Sequence, residues 1–413
     1  MKPKLLVIGG SHDQRPMILK GRELGCHVIV ADGNAAAPAF SLADEALVID
    51  TSNHEALVSA ARERGIAGVC TMATNLGPRS VAHVAHALGL PAISETAALA
   101  ATDKHLMKQA CLAAGLPVAA GETCDNVTDA VRVAEAAGFP VLLKAADASG
   151  CRGIEPAEDV AEVRARFALA QRESRNGLVV VERYYPDARV IGVESLIDRG
   201  RTEVVFSADK IVSRLPRIST AGVTVPTVFA DWELATVTSQ MEQLHAALGL
   251  DCGASHVDLV GADGRWLVID VGPRLGGGPM IHHLAPQLTG IDMVDFVVRQ
   301  ALGQSPSLKR NENTGVGVER FFYTRVPGRL ERCELPDLPE GVRLEWRKPT
   351  GTMLRADGPN VDRLGCISLV AADLATAEQR VAEVVAGIRL ELSLANGRRE
   401  TVTPNVLSTE VHV

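Results

Sequence analysis

Four short apolar runs, KLLVI, HVIVAD, EALVID and AGVCTM, fall within the first 94 residues and are separated by stretches with helical spacing. This alternation constrains the fold more than any other feature of the chain. Strands that alternate with helices pair in parallel, because each crossover needs a helix to carry the chain back. The amphipathic segment near residues 15–24 is the first such crossover. Aromatic residues make up only 3% of the chain and hydrophobic residues 46%, which suits α/β layers better than an aromatic-rich sandwich. Glycines follow the first strand in GGSHDQR, and Asp32 ends the second, as in a dinucleotide-binding turn. GGSHDQR is not GxGxxG, however, and reads as a tight strand-to-helix turn.

Bulk chemistry narrows the partners. The formal charge is −8, the isoelectric point is near 5.8 and no basic run is present, so nucleic acid is not an expected partner. Eight cysteines, at 26, 70, 111, 124, 151, 252, 333 and 366, include no CxxC pair and give no support for a zinc site. Lys2 and Lys4 precede a run too short for a signal-peptide core. No run reaches the roughly 18–20 apolar residues of a membrane span. The expectation is a reduced, soluble, cytoplasmic protein with small-molecule partners.

The chemistry-bearing stretches come after residue 94. In TDKHLMKQACLAAGLP, Thr102 is placed as the helix N-cap and Leu106, Ala110, Cys111 and Ala114 as its apolar stripe. Lys104 then sits in the first turn, where a cation opposes the helix dipole. In FPVLLKAAD, Lys144 lies inside an apolar strand, which is costly unless it meets an anion. The loop DASGCRGIE follows, and its small residues Ser149, Gly150 and Gly153 expose backbone N–H groups of the kind that cradle phosphate. GLVVVERYY is a further strand whose polar end, at Glu182, forms the wall of a nucleotide pocket.

HVDLVGADGRWLVID reads as two alternating strands joined by ADG. A three-residue loop with Gly264 in the left-handed region puts Asp258 and Asp270 on one face, about 5–8 Å apart. An even loop would send them to opposite faces. Two carboxylates that close repel unless a cation or a proton sits between them, and among cations hard oxygen ligands favour magnesium. Just beyond, DVGPRLGGG sets Arg274 and the backbone of Gly276 and Gly277 where negative charge would be received. His256, His282 and the segment SRLPRISTAGVTVPT (213–227) are placed toward substrate. Within that segment Arg214 and Arg217 are either carboxylate-recognising or solvated loop arginines. From about residue 315 the pattern becomes that of a smaller α+β unit with no obvious chemistry.

Together these pieces resemble the ATP-grasp superfamily, specifically its carboxylate–amine ligases of the L-amino-acid ligase type. The resemblance implies α/β and α+β architecture: a Rossmann-like domain (1–94), linker helices (95–115), a small lid subdomain (116–184), a large subdomain with the metal site (185–310) and a C-terminal α+β domain (311–413). It implies that Lys104 and Lys144 contact ATP phosphates, that Ser149, Gly150 and Gly153 belong to the covering loop, and that Glu182, Arg183, Tyr184 and Asp187 lie on the nucleotide side. Asp258 and Asp270 match the two magnesium ligands, with manganese as the substitute metal, and Arg274, Gly276 and Gly277 match the oxyanion region. The chain departs from the family in having aspartates where glutamates are usual, and Gly272 where an asparagine usually ligates metal.

The implied activity converts a carboxylate to an acyl phosphate with ATP and couples it to an amine, releasing ADP and phosphate. The resemblance also implies a homodimer. Rival readings are a carboxylase activating bicarbonate, and a nucleotide-binding module that has lost catalysis, for which Gly272 is the suspicious feature.

Overall fold

The computed structural model describes residues 2–148, 150, 152–213, 218–306, 308–311, 314–356 and 363–406. The N-terminal runs form a four-stranded parallel sheet in the order Glu45–Val48, His27–Asp32, Lys4–Ile8, Gly68–Cys70. Their side chains fill two cores. Leu6, Ile8 and Ile29 pack on helices His54–Arg64 and Gly77–Leu88, and Leu5, Val7 and Val28 pack toward the rest of the molecule. Asp32 is occupied locally: its carboxylate accepts the Gly10 N–H at 2.7 Å and the Asn34 N–H at 2.8 Å. It shapes the turn, as the missing third glycine suggests.

A second four-stranded sheet, Gly121–Cys124, Val179–Arg183, Val141–Ala145 and Ile154–Ala157, is antiparallel and is backed by helices Val127–Ala137 and Val160–Glu173. The largest sheet has eight strands. Its order is Arg265–Gly272, Gly253–Ala262, Val190–Asp198, Arg201–Ser213, Ser219–Val225, Val316–Phe322, Gly365–Ala371 and Arg343–Trp346. This sheet runs without a break across residue 311, because Ser219–Val225 pairs directly with Val316–Phe322. Arg320 fastens the join: fully buried, it donates to the Val223 carbonyl, to Thr224 Oγ1 at 3.0 Å, and to Glu378 on helix Leu374–Gly387. A third antiparallel sheet of four strands completes the C-terminal core.

Behind the large sheet, His245 is buried between Thr202 Oγ1 (2.8 Å) and Ser255 Oγ (2.7 Å), and burial pushes its pKa down to about 4. The unfolded chain therefore takes up this proton first. The stability it carries is present above pH 6.5 and is lost as the pH falls toward 4. Between pH 7 and pH 5 the loss is about 2 kcal/mol by linkage. In urea titrations at these two pH values, His245→Gln should show a smaller pH-dependent drop than the wild type. An equal drop contradicts the assignment.

Candidate active site

The strands Gly253–Ala262 and Arg265–Gly272 carry the acids, and their geometry corrects the expected loop. The turn has two residues, with Ala262 opposite Arg265 and left-handed φ at Asp263 (53°) and Gly264 (68°). Counting back from this even turn would set Asp258 against Ile269, with Asp270 on the other face. A β-bulge intervenes: Leu259 pairs with Val268, and Asp258 then pairs directly with Asp270. The extra residue restores the shared face that the three-residue loop was expected to give.

Each aspartate faces a lysine. Asp258 pairs with Lys210, and its Oδ1 lies 3.1 Å from His256 Nε2. Burial disfavours the charged form of Asp258, but Lys210 and then His256 outweigh it and hold the carboxyl below its usual range. Asp270 Oδ1 lies 3.2 Å from Lys104 Nζ, which also donates to the Ala148 carbonyl at 2.9 Å. Lys104 opens helix Lys104–Ala113, but its N-cap is Asp103, not Thr102. Thr102 instead ends the preceding helix and donates back to Ala98 at 2.7 Å. The buried face of that helix is Lys104, Met107, Lys108 and Cys111, displaced from the expected stripe by its charged members.

Lys144 and Lys108 both reach the buried Glu182, the latter at 3.4 Å. Burial favours the neutral acid, yet the two lysines overcome it and lower the Glu182 pKa. Burial also lowers the Lys108 pKa, against the pull of Glu182. Two ammonium groups facing one carboxylate leave an excess of positive charge, which suits a phosphate. Glu182→Gln should destabilise the fold by about 3–5 kcal/mol, because it strands two buried cations. Saturating ATP should recover part of that loss in a thermal-shift measurement, whereas no recovery would place the lysines away from the nucleotide.

Arg274 is wrapped on several sides. Its Nη2 donates to Asn75 Oδ1 at 2.6 Å, and its buried Nε has no partner. Burial lowers its pKa against the opposing pull of Glu194, Asp270 and Asp258. Gly272 accounts for the fit: a Cβ there would lie 2.7 Å from the guanidinium carbon. The absence of a side chain at Gly272 thus leaves room for the guanidinium that meets Asn75.

These groups surround one cavity of about 930 Å³. Lys104, Lys144, Gly150, Glu182, Arg183, Tyr184 and Asp187 line one part of it, and His256, Asp258, Asp270, Arg274 and Gly277 another. Three expected members stand elsewhere. Gly276 is not on the cavity wall, and its N–H is directed to Glu194 Oε2 at 3.3 Å, so it does not face an oxyanion. His282 is behind the wall, 3.3 Å from Glu345. Gly153 serves the hairpin turn, its carbonyl accepting the Ala145 N–H at 2.9 Å. Ser149, Arg214 and Arg217 lie outside the described residues.

Residues missed from the sequence complete the site. Lys210 is a lysine in an apolar strand, the same signal that picked out Lys144. Glu194, an acid within VIGVESLID, is fully buried and hydrogen-bonded to His256. Glu319, Arg347 and Arg363 come from the C-terminal unit, in which the sequence shows no obvious chemistry, and line the cavity. Among the described residues no group of three or more His, Cys, Asp or Glu side chains is arranged for a metal. Two carboxylates still fit magnesium, which keeps waters and takes its remaining ligands from phosphate oxygens.

Residues 103–309 match the family model for the carbamoyl-phosphate synthase L chain ATP-binding domain, half of the chain. The protein belongs to this ATP-grasp family. Residues 320–393 match the L-amino acid ligase C-terminal domain 2. Among solved structures, phosphoribosylglycinamide synthetase from Anaerococcus prevotii is similar at TM-score 0.78 and 20% identity, over 95% of this chain and 100% of that one. The L-amino acid ligase of Bacillus licheniformis follows at TM-score 0.77 and 17% identity, over 94% and 98%. The biotin carboxylase domain of Hydrogenobacter thermophilus 2-oxoglutarate carboxylase, solved with MgADP and bicarbonate, gives TM-score 0.78 at 19% identity, over 98% and 92%. At these identities the likeness shows the ATP-grasp fold. By sequence, uncharacterized protein y4rH of Sinorhizobium fredii is 22% identical over 95% of this chain and 84% of its own length. Biotin carboxylase 2 of Bacillus subtilis is 26% identical over 58% of this chain, which spans only 56% of that protein. The matched family model is that of an ATP-binding domain.

Proposed function

We propose that this ATP-grasp protein is a carbon–nitrogen ligase that activates a carboxylate as an acyl phosphate and couples it to an amine, releasing ADP and phosphate. The observation that carries this reading is the Asp258–Asp270 pair, sharing a cavity with the buried Lys104 and Lys144 and the half-buried Arg274. The match of residues 320–393 to an L-amino acid ligase domain supports it.

A carboxylate is a poor electrophile, since its leaving group would be oxide, whereas an acyl phosphate loses phosphate. In this reading Lys104, Lys144 and the backbone at Gly150 position the nucleotide phosphates, with Arg183, Tyr184 and Asp187 along the nucleotide. Asp258 and Asp270 hold magnesium, which when bound supplies positive charge against the phosphoryl oxygens. Arg274, held by Asn75, faces the tetrahedral oxyanion, joined by backbone at Gly277. Water must be kept from the acyl phosphate, which it would otherwise consume.

The biotin carboxylase relatives favour a second reading, in which bicarbonate is the acid activated. One assay separates the two: phosphate release from MgATP against acids and amines, singly and in pairs, with a bicarbonate arm. The ligase reading expects release that requires both an acid and an amine. Release that requires bicarbonate alone supports the carboxylase, and nucleotide binding without turnover supports a module that has lost catalysis. Among the described residues no helix is long and apolar enough to cross a membrane.

A further inference from the structure

Glu319 is a carboxylate that nothing above uses. It stands on strand Val316–Phe322, is 1% exposed and belongs to the cavity wall. One oxygen, Oε2, accepts the Met280 N–H at 3.1 Å, and the other, Oε1, has no partner. A buried acceptor left unmatched costs about 1–3 kcal/mol, so a fold retains one where something else satisfies it. The backbone beside it is bare. A Cβ at Gly278 would lie 2.5 Å from Oε1, so any side chain there would collide with this oxygen. Gly277 and Gly278 also line the cavity, on the loop that carries Arg274.

We propose that Glu319 is the acceptor for the amine substrate: Oε1 holds its ammonium and takes the proton that must leave before the nitrogen attacks. This rests on the ligase reading of the cavity. An amine arrives at neutral pH as R–NH₃⁺, which has no lone pair to offer. One proton passes to the Glu319 carboxylate, and the freed lone pair forms the N–C bond at the acyl carbon. The C–O bond to phosphate then breaks, phosphate keeps the electron pair, and the second nitrogen proton leaves with it. Burial pushes the Glu319 carboxyl up to about 7, with Arg347, Arg363 and the Met280 N–H pulling down and Glu345 pushing up. Asp13, 2.8 Å from Arg347, and the buried Cys366 thiol stand in the same cluster. An acid poised there is ionised often enough to accept a proton and is basic enough to hold it.

Hydroxylamine provides the test, because it is uncharged at neutral pH and traps an acyl phosphate without needing a base. For wild type and Glu319→Gln, the amine-coupling rate and the hydroxamate-forming rate are measured with one acid over pH 6–9. The expected result is a fall in the ratio of coupling to trapping of about 100-fold in the variant. The rise in wild-type coupling through about pH 7 should also flatten, and Glu319→Asp should recover part of the ratio. A proportional loss of both rates with an unchanged pH profile assigns Glu319 a structural role and overturns the proposal. If Glu319→Gln does not fold, Gly278→Ala, which crowds Oε1, is measured by the same ratio with the same two outcomes. If the wild type forms neither hydroxamate nor amide with any acid, the ligase reading itself fails and Glu319 falls with it.

Discussion

Asp270→Asn is expected to lower magnesium-dependent phosphate release by about a thousandfold. A metal clamp on a transferring phosphoryl group supplies several kcal/mol of charge stabilisation, and each 1.36 kcal/mol is a factor of ten in rate. Asp270 is one of the two aspartates paired across the bulged hairpin, and its other neighbour is Lys104 at 3.2 Å. Removing its charge both weakens the metal site and releases that lysine. The fold should survive, because the side chain is about a third exposed and asparagine preserves its shape. Steady-state phosphate release at saturating MgATP, with circular dichroism to confirm folding, checks this. A loss of less than about tenfold contradicts a metal role for the pair, and restoration by excess magnesium would show that the loss is one of affinity.

Arg274→Met is expected to lower the coupling rate by about 10²–10³-fold while leaving nucleotide affinity nearly unchanged. That is the range for removing one donor from an oxyanion site. The split between the two readouts identifies the role. A residue needed only to bind ATP would raise the nucleotide Kd together with any loss of rate. Arg274→Lys should recover little, because a point charge does not reproduce the guanidinium fork that meets Asn75. Gly272→Ala provides a second check on the same geometry, since its Cβ would press on that guanidinium at 2.7 Å. It should lower turnover without touching any acid or lysine of the site.

The strand and helix pattern was legible because periodicity reports burial directly, as with the parallel N-terminal sheet and the hairpin that bears the aspartates. The pairing of Asp258 with Asp270 was legible too, but for a reason that the structure replaces. ADG suggested an odd loop, whereas Asp263–Gly264 makes an even turn and a bulge beside Ile269 corrects the register. Bulges have no reliable sequence signal, because the extra residue packs like its neighbours. Glu194 and Lys210 were visible in principle, each a charge inside an apolar run, and were passed over because their partners are far apart in the chain. Glu319 was hidden more thoroughly: it follows GVGV in a unit that looked purely structural, and only the pairing of Val316–Phe322 with Ser219–Val225 brings it to the cavity. Gly276 was read as anion-receiving backbone, yet its N–H already serves Glu194, whereas at Gly272 and Gly278 the missing side chain leaves room for Arg274 and for Glu319 Oε1.

In the proposed reaction the carboxylate is activated by phosphorylation. The most direct test is an isotope transfer. The acid that supports phosphate release most strongly is labelled with ¹⁸O in its carboxylate and turned over with MgATP and the amine. An acyl-phosphate path must deliver one labelled oxygen to the released phosphate for each amide formed, read by mass spectrometry. Amide formation with unlabelled phosphate, or labelled AMP in place of labelled phosphate, would contradict it.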